Sequence, residues 1–144
     1  MLFLYLKHRS DLLEEIFSSH TYNIAVGGTS GKSTVTAMIG YILDNTKKSP
    51  LVINGALLKN YENKPGIPNV ILNNGEYCVI EADESDGSFL NLHPWMTVIT
   101  NVEEDHLDHY QDLDAIRNAF IDFVKLPGES GVAVLNYDCP ETRQ

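Results

Sequence analysis

The sequence predicts an α/β fold, a mostly parallel sheet flanked by helices. Three observations predict it. Short apolar and β-branched runs alternate with amphipathic stretches along the chain, the pattern of βαβ units. One of those runs, "YNIAV", passes through the glycine-rich "GGTSGKST" directly into the helical "VTAMIGYIL". And 144 residues, 43% of them apolar, make about one domain with a substantial core.

The elements follow in order. "SDLLEEIF" places Leu12, Leu13, Ile16 and Phe17 on one helical face, with Ser10 as N-cap. Tyr22–Val26 is a short buried strand, and Ser33–Asp44 a helix with Val35, Met38, Ile39 and Ile42 inward. Leu51–Asn54 is a second strand. The stretch "GALLKNYENKPGIPN" is polar, punctuated by Pro and Gly, and reads as loop. "VIL" and "YCVIEA" flank "NNG", which predicts a hairpin over Val70–Ala82 turning at Asn74-Gly75. Met96–Asn101 is a buried strand. Leu113, Ile116, Phe120, Phe123 and Val124 recur at helical spacing, with Asp112 near the start and Pro127-Gly128 as the stop. Gly131–Asn136 is the last strand.

Charge narrows the function classes. Ten basic residues face 20 acidic ones, a net charge of −10. That speaks against non-specific binding to nucleic acid or to anionic membranes, which require a basic surface. "MLFLYL" is too short to span a bilayer and lacks the basic start of a signal peptide. Cys78 and Cys139 show no CxxC spacing and read as reduced thiols of a cytoplasmic protein. There is no internal repeat.

Ligands of parallel sheets bind at the carboxyl ends of the strands, and three strand ends here carry chemistry. In "GGTSGKST" glycines let backbone N–H groups converge on an anion, and the helix that follows adds its positive end. Lys32 would reach the β- and γ-phosphates of a nucleotide, and the Ser33 hydroxyl would ligate Mg²⁺. Val26 stands where the common phosphate-loop pattern has a glycine, so the loop is the tighter run from Gly28 to Ser33. In "YCVIEADESDG", Glu81 ends a strand, and Asp83, Glu84 and Asp86 follow. Four such carboxylates repel one another unless a cation or a lysine sits among them. In "TNVEEDHLDHY", Asn101 ends a strand, and His106 lies between two aspartates, suited to a second Mg²⁺ or a catalytic role. His93 and His109 read as surface residues, and Phe89 and Trp95 as packing.

In this order, "GTSGKST", "EADESDGSFL", "TNVEEDHLDHY" and "VAVLNYD" resemble the central ATP-binding domain of the Mur ligases, over a stretch from about Arg9 to Asp138. The acidic block and "HLDHY" look most like the branch that joins L-alanine to UDP-N-acetylmuramate. The resemblance implies a phosphate-loop fold and a cytoplasmic ligase of peptidoglycan precursor synthesis, using ATP and Mg²⁺. The γ-phosphoryl group would pass to a carboxylate, and an amine would then attack the acyl phosphate. Carried over by position, Gly28, Thr29, Ser30, Gly31, Lys32, Ser33, Thr34 and Asn101 would contact ATP. Ser33, Glu81 and His106 would hold metal, and Lys32 and His106 would be catalytic. Residues 1–20 would be a lead-in helix segment and residues 21–144 the central domain, incomplete at its C-terminal end.

The sequence departs from the family pattern at Ser30, at Ser33 in place of Thr, and in lacking a lysine about fifteen residues beyond His106, where several members carry a carbamate. No carbamate is therefore expected. No second phosphate site and no pair of arginines for a carboxylate can be read from the chain, so it is expected not to ligate on its own. Two other readings stay open: a stand-alone phosphate-loop NTPase or regulatory nucleotide-binding module, and a truncated relative without ligase activity.

Overall fold

The computed structural model describes residues 6–63, 66–105 and 109–143. Among them are helices α1 (Arg9–Ser18), α2 (Lys32–Asn45) and α3 (Leu113–Lys125). The strands are β1 (Tyr22–Gly27), β2 (Leu51–Ile53), β3 (Val70–Ile71), β4 (Tyr77–Glu81), β5 (Met96–Ile99) and β6 (Val132–Leu135). They form one sheet in the order β3-β2-β4-β1-β5-β6. Strand β1 lies at its centre, parallel to β4 and to β5, and β2 and β6 extend the parallel sheet outward. The α/β class and the mostly parallel sheet match the expectation.

Alternation along the strands splits the core in two. Ala25, Cys78 and Ile80 pack with Phe17 of α1 and with Phe120 and Phe123 of α3. Phe89 lies among them, its ring centre 4.9 Å from that of Phe123. Ile24, Val26, Val52 and Val79 face the other way, toward Val35, Ile39 and Leu43 of α2. Asn23 is buried and joins two elements: its Nδ2 donates to Phe17 O at 3.3 Å, and its Oδ1 accepts from the Trp95 amide. Phe89 is thus core, and Trp95 is half-buried edge-on to Tyr22, as the sequence suggested.

The helix faces are narrower than expected. On α2, Met38 and Ile42 are each 59% exposed, while Thr36 and Gly40 are buried. Positions 38 and 42 lie about 200° around the helix from positions 36 and 40, on the far side. The reason is the contact made by Gly40. A Cβ there would stand 2.8 Å from Val52 Cγ2, so the helix sits down on β2 along its smallest residues. On α1, Phe17 is buried and Leu13 packs against the core, but Leu12 and Ile16 point outward. The cap of α1 is His8 rather than Ser10: His8 Nδ1 accepts from Ser10 N, and Asp11 Oδ2 accepts from His8 N. Helix α3 behaves as expected, with Asp112 Oδ1 accepting from Ala115 N at 2.8 Å and with Ile116, Phe120 and Phe123 buried.

The hairpin at Asn74-Gly75 does not form. Strand β3 pairs antiparallel with β2, and β4 enters between β2 and β1 as a parallel strand. Gly75 lacks the positive φ that a type I′ turn demands. Its role is close approach: its N–H donates to Ser49 O at 2.8 Å, and a Cβ would fall 2.1 Å from Lys48 O. The segment after β2, read as loop, is tied down. Tyr61, in a 3-10 turn (Lys59–Tyr61), is buried and donates to Asp44 Oδ2 of α2 at 2.7 Å.

Two substitutions test this packing. Gly40→Ala is expected to destabilise the protein by about 1–3 kcal/mol through overpacking against Val52, although alanine is the better helix former by about 1 kcal/mol. Denaturant unfolding measures it, and an increase in stability would show that α2 rides higher on the sheet. Tyr61→Phe should cost about 1.5–3 kcal/mol, the range for a lost hydrogen bond to a charged group. The same melts read it, and an unchanged midpoint would mean that the segment after β2 does not depend on α2.

Candidate functional site

Parallel pairing sets the three chemically marked strand ends side by side. Val26 lies opposite Glu81 on β4, and Gly27 opposite Ile99 on β5. The glycine loop therefore leaves the sheet between the acidic segment and the segment that begins at Thr100.

The loop is shaped by backbone and held by β5. Gly28 has φ +132°, and a Cβ there would stand 2.0 Å from Thr100 Oγ1, so both conformation and space demand glycine. Gly31, at φ +83°, is the N-cap of α2 and supplies no side-chain cap. The first amides of that helix are thus left for an anion. Thr29 N donates to Asn101 O at 3.1 Å, and Ser30 N to Asn101 Oδ1 at 2.8 Å. Thr100 Oγ1 donates to Ser30 O at 2.6 Å, and Glu103 N to Thr29 Oγ1 at 2.9 Å. Thr29, Ser30 and Asn101 thus spend these polar groups on one another and on the β5 end. Thr34 is exposed in the first turn of α2.

The side chains that follow are paired. Lys32 Nζ donates to Gly28 O at 2.7 Å and to Thr29 O at 3.3 Å, and it lies 2.9 Å from both carboxylate oxygens of Glu84. Ser33 Oγ donates to Glu81 Oε1 at 3.0 Å, while Glu81 Oε2 accepts from Gly55 N at 2.8 Å. The self-repelling acidic segment is thereby resolved. Glu81 takes the serine and Glu84 takes the lysine. Asp83 and Asp86 cap local turns, accepting from Ser85 N at 3.0 Å and Ser88 N at 2.9 Å. The Ser88 hydroxyl and amide hold the Asp86 carboxyl below the usual carboxylate range.

Glu84 is 2% exposed. Tyr110 secures its backbone, its hydroxyl donating to Glu84 O at 2.7 Å. Burial, and then the charges of Glu84, Asp86 and Asp83, push the Tyr110 phenol up to about 12, so it remains a donor at neutral pH. Sequence reasoning did not single out Glu84, Tyr110 or Thr100. The requirement that a lysine sit among the carboxylates was the one signal that pointed toward Glu84.

Ser33 Oγ and Glu81 Oε1 are hard oxygen donors at the start of a helix, a pair that could share Mg²⁺ with ligand oxygens and water. Among the described residues no group of three or more His, Cys, Asp or Glu forms a metal cage by itself. His106 lies outside the described residues. His109 is exposed, and His93, also exposed, pairs with Glu14 at 2.8 Å. Beside Ser33 and Thr34 a cavity of about 390 Å³ opens between α2 and the 3-10 turn, lined also by Met38, Tyr41 and Leu57.

Known proteins are similar to this chain in sequence and in fold. The Mur ligase middle domain model matches residues 26–144. The UDP-N-acetylmuramate–L-alanine ligase of Dictyoglomus turgidum is 43% identical over 136 residues, which cover 94% of this chain and 28% of that protein. The enzyme of the same name from Syntrophotalea carbinolica is 42% identical over 135 residues, again 94% of this chain and 28% of that protein. The chain thus spans little more than a quarter of the length of these relatives. Among solved structures, the UDP-N-acetylmuramate–alanine ligase MurC of Thermotoga maritima superposes with a TM-score of 0.76 at 30% identity, covering 93% of this chain and 30% of that one. The MurF ligase of Thermotoga maritima, determined in complex with ADP, gives 0.66 at 26% identity, covering 93% and 32%. The chain belongs to the Mur ligase family, whose middle domain its residues 26–144 match.

Proposed function

We propose that this chain is the ATP-binding part of an ATP-dependent ligase that joins L-alanine to UDP-N-acetylmuramate in peptidoglycan precursor synthesis, working in the cytoplasm. Residues 21–144 form its nucleotide-binding domain, with residues 1–20 as a lead-in. The observation that carries the reading is the joint of β1 and α2, where Lys32, the uncapped helix start and the Ser33–Glu81 pair converge beside one glycine loop. The names of the relatives support the choice of acceptor and amine. The neighbour with ADP supports the choice of nucleotide. The free, buried Cys78 and Cys139 suit a reducing compartment. No described helix is long and apolar enough to cross a membrane.

Each residue has a task in this reading. Gly28 and Gly31 give the loop its curvature, while Asn101, Thr29 and Ser30 hold that curvature against β5. The amides at the start of α2, through Thr34, face the phosphates, and Lys32 reaches the β- and γ-phosphate oxygens. Ser33 Oγ and Glu81 Oε1 together would hold Mg²⁺, and His106 would serve a second metal. Magnesium, when bound, supplies charge neutralisation on the phosphate oxygens. Transfer of a phosphoryl group between two anions needs that neutralisation and alignment more than it needs an acid or base. The γ-phosphoryl moves to the muramyl carboxylate, ADP leaves, the alanine amine attacks the acyl carbonyl, and phosphate departs.

Calorimetry with the 144-residue chain tests the reading. Mg·ATP should bind the parent, and Lys32→Ala, shown to be folded by circular dichroism, should bind it at least about tenfold more weakly, a factor that corresponds to about 1.4 kcal/mol. Equal binding by both would remove the phosphate-loop assignment. Glu81→Gln keeps the shape of the site and should weaken Mg²⁺-dependent binding by about 1.5–3 kcal/mol. If the Mg²⁺ dependence is untouched, Glu81 is no metal ligand.

A further inference from the structure

Protein groups alone saturate the Lys32 ammonium. It has three protons and three acceptors in reach: Gly28 O at 2.7 Å, Thr29 O at 3.3 Å and the Glu84 carboxylate at 2.9 Å. Two of these are neutral carbonyls. The third is a charge whose side chain is 3% exposed, against 13% for that of Lys32. A phosphate oxygen that approaches Lys32 must displace one of them. Beside a polyphosphate, a buried carboxylate gains nothing from water when its cation is drawn away.

We propose that Glu84 is a positioning residue that latches Lys32 against the glycine loop, so that phosphate competes with a buried carboxylate for one ammonium. The identity of the competitor rests on the nucleotide reading above; the latch itself does not. Three features support it. The pair is formed across 52 positions of sequence, between α2 and the turn after β4. The Tyr110 hydroxyl holds the Glu84 backbone through its carbonyl, and the side chain that carries the carboxylate is itself buried. And the neighbouring acids are committed elsewhere, Asp83 and Asp86 to local turns and Glu81 to Ser33 and Gly55. The latch also has a physical purpose. It keeps the loop from presenting an unpaired buried cation, and it lowers affinity for every polyphosphate, so that product ADP leaves more readily.

Two readouts on the full 144-residue chain test it. The first is acylation of lysines by an amine-reactive ester, resolved by peptide mass spectrometry, with Lys125, whose side chain is 68% exposed, as internal reference. The Lys32 side chain is 13% exposed and held on three sides, so it should react more slowly than Lys125 in the parent. Glu84→Gln removes the ionic partner that holds it in place, and should raise the Lys32 rate roughly three- to tenfold while leaving Lys125 unmoved. The second is ATP titration, in which Glu84→Gln should bind roughly three- to tenfold more tightly than the parent. An unchanged Lys32 rate, or ATP binding that is equal or weaker in the variant, overturns the proposal. If the parent binds no ATP, the nucleotide reading fails and the acylation rates alone decide the latch. Should Glu84→Gln not fold, Tyr110→Phe, which loosens the Glu84 backbone and leaves every charge in place, should shift the Lys32 rate in the same direction by less. No shift there counts against the latch.

Discussion

Hydrogen bonding of β1 to β4 on one side and to β5 on the other is the constraint on which the site depends. Each strand ends in a segment with little structure of its own, and the register Val26 to Glu81 and Gly27 to Ile99 brings the three segments to one edge. Beyond the last pairs the contacts continue as a lattice: Ala82 N donates to Val26 O at 2.9 Å, and Thr100 N to Gly27 O at 3.1 Å. The glycine loop is therefore built on a floor supplied by its neighbours. Thr100 fills the space under Gly28, and Asn101 receives the amides of Thr29 and Ser30. A loop of glycines in isolation would spend much conformational entropy to adopt this shape. Here β5 holds it, which is how such flexible residues can serve as a preformed cradle.

Electrostatics divide along the same lines. The chain carries a net charge of −10, and the two acids nearest Lys32 and Ser33 are each held by a partner. Glu84 is neutralised by Lys32, and Glu81 is turned toward Ser33 and Gly55. Asp83 and Asp86 are exposed and bound to turn amides. An uncapped helix start then offers its amides within an otherwise acidic protein. The acidic excess suits a site that takes its anion together with a divalent cation rather than bare.

Much of this was legible in the sequence. The strand–glycine loop–helix joint could be read because its residue types are demanded by local backbone geometry, and the strands could be read because buried parallel strands are continuous apolar runs. The fold class and the three strand ends followed. What failed was decided by distant contacts. Asn74-Gly75 has the composition of a hairpin turn, but Gly75 serves an approach to Lys48 and Ser49 that no local window contains. Met38 and Ile42 satisfy helical periodicity, yet the close seat of Gly40 on Val52 rotates the buried stripe toward Thr36. Within the acidic segment, Glu84 and its neighbours look alike in sequence. Burial beneath Tyr110 and the reach of Lys32 separate them, and both contacts are long-range.

The position of α2 links these observations. Its first turn carries Lys32 and Ser33, its middle rests on β2 through Gly40, and its last turn is braced by Tyr61 through Asp44. The helix is thus gripped by the sheet and by the segment after β2, and its start is gripped by the ion pair with Glu84. A shift of α2 along its axis would move the ammonium, the hydroxyl and the helix-end amides together, because all three sit on one rigid turn. In the proposed phosphate-binding role little such error would be tolerated. The tight seat on Val52 and the brace at Asp44 would then serve the loop as much as the stability of the fold.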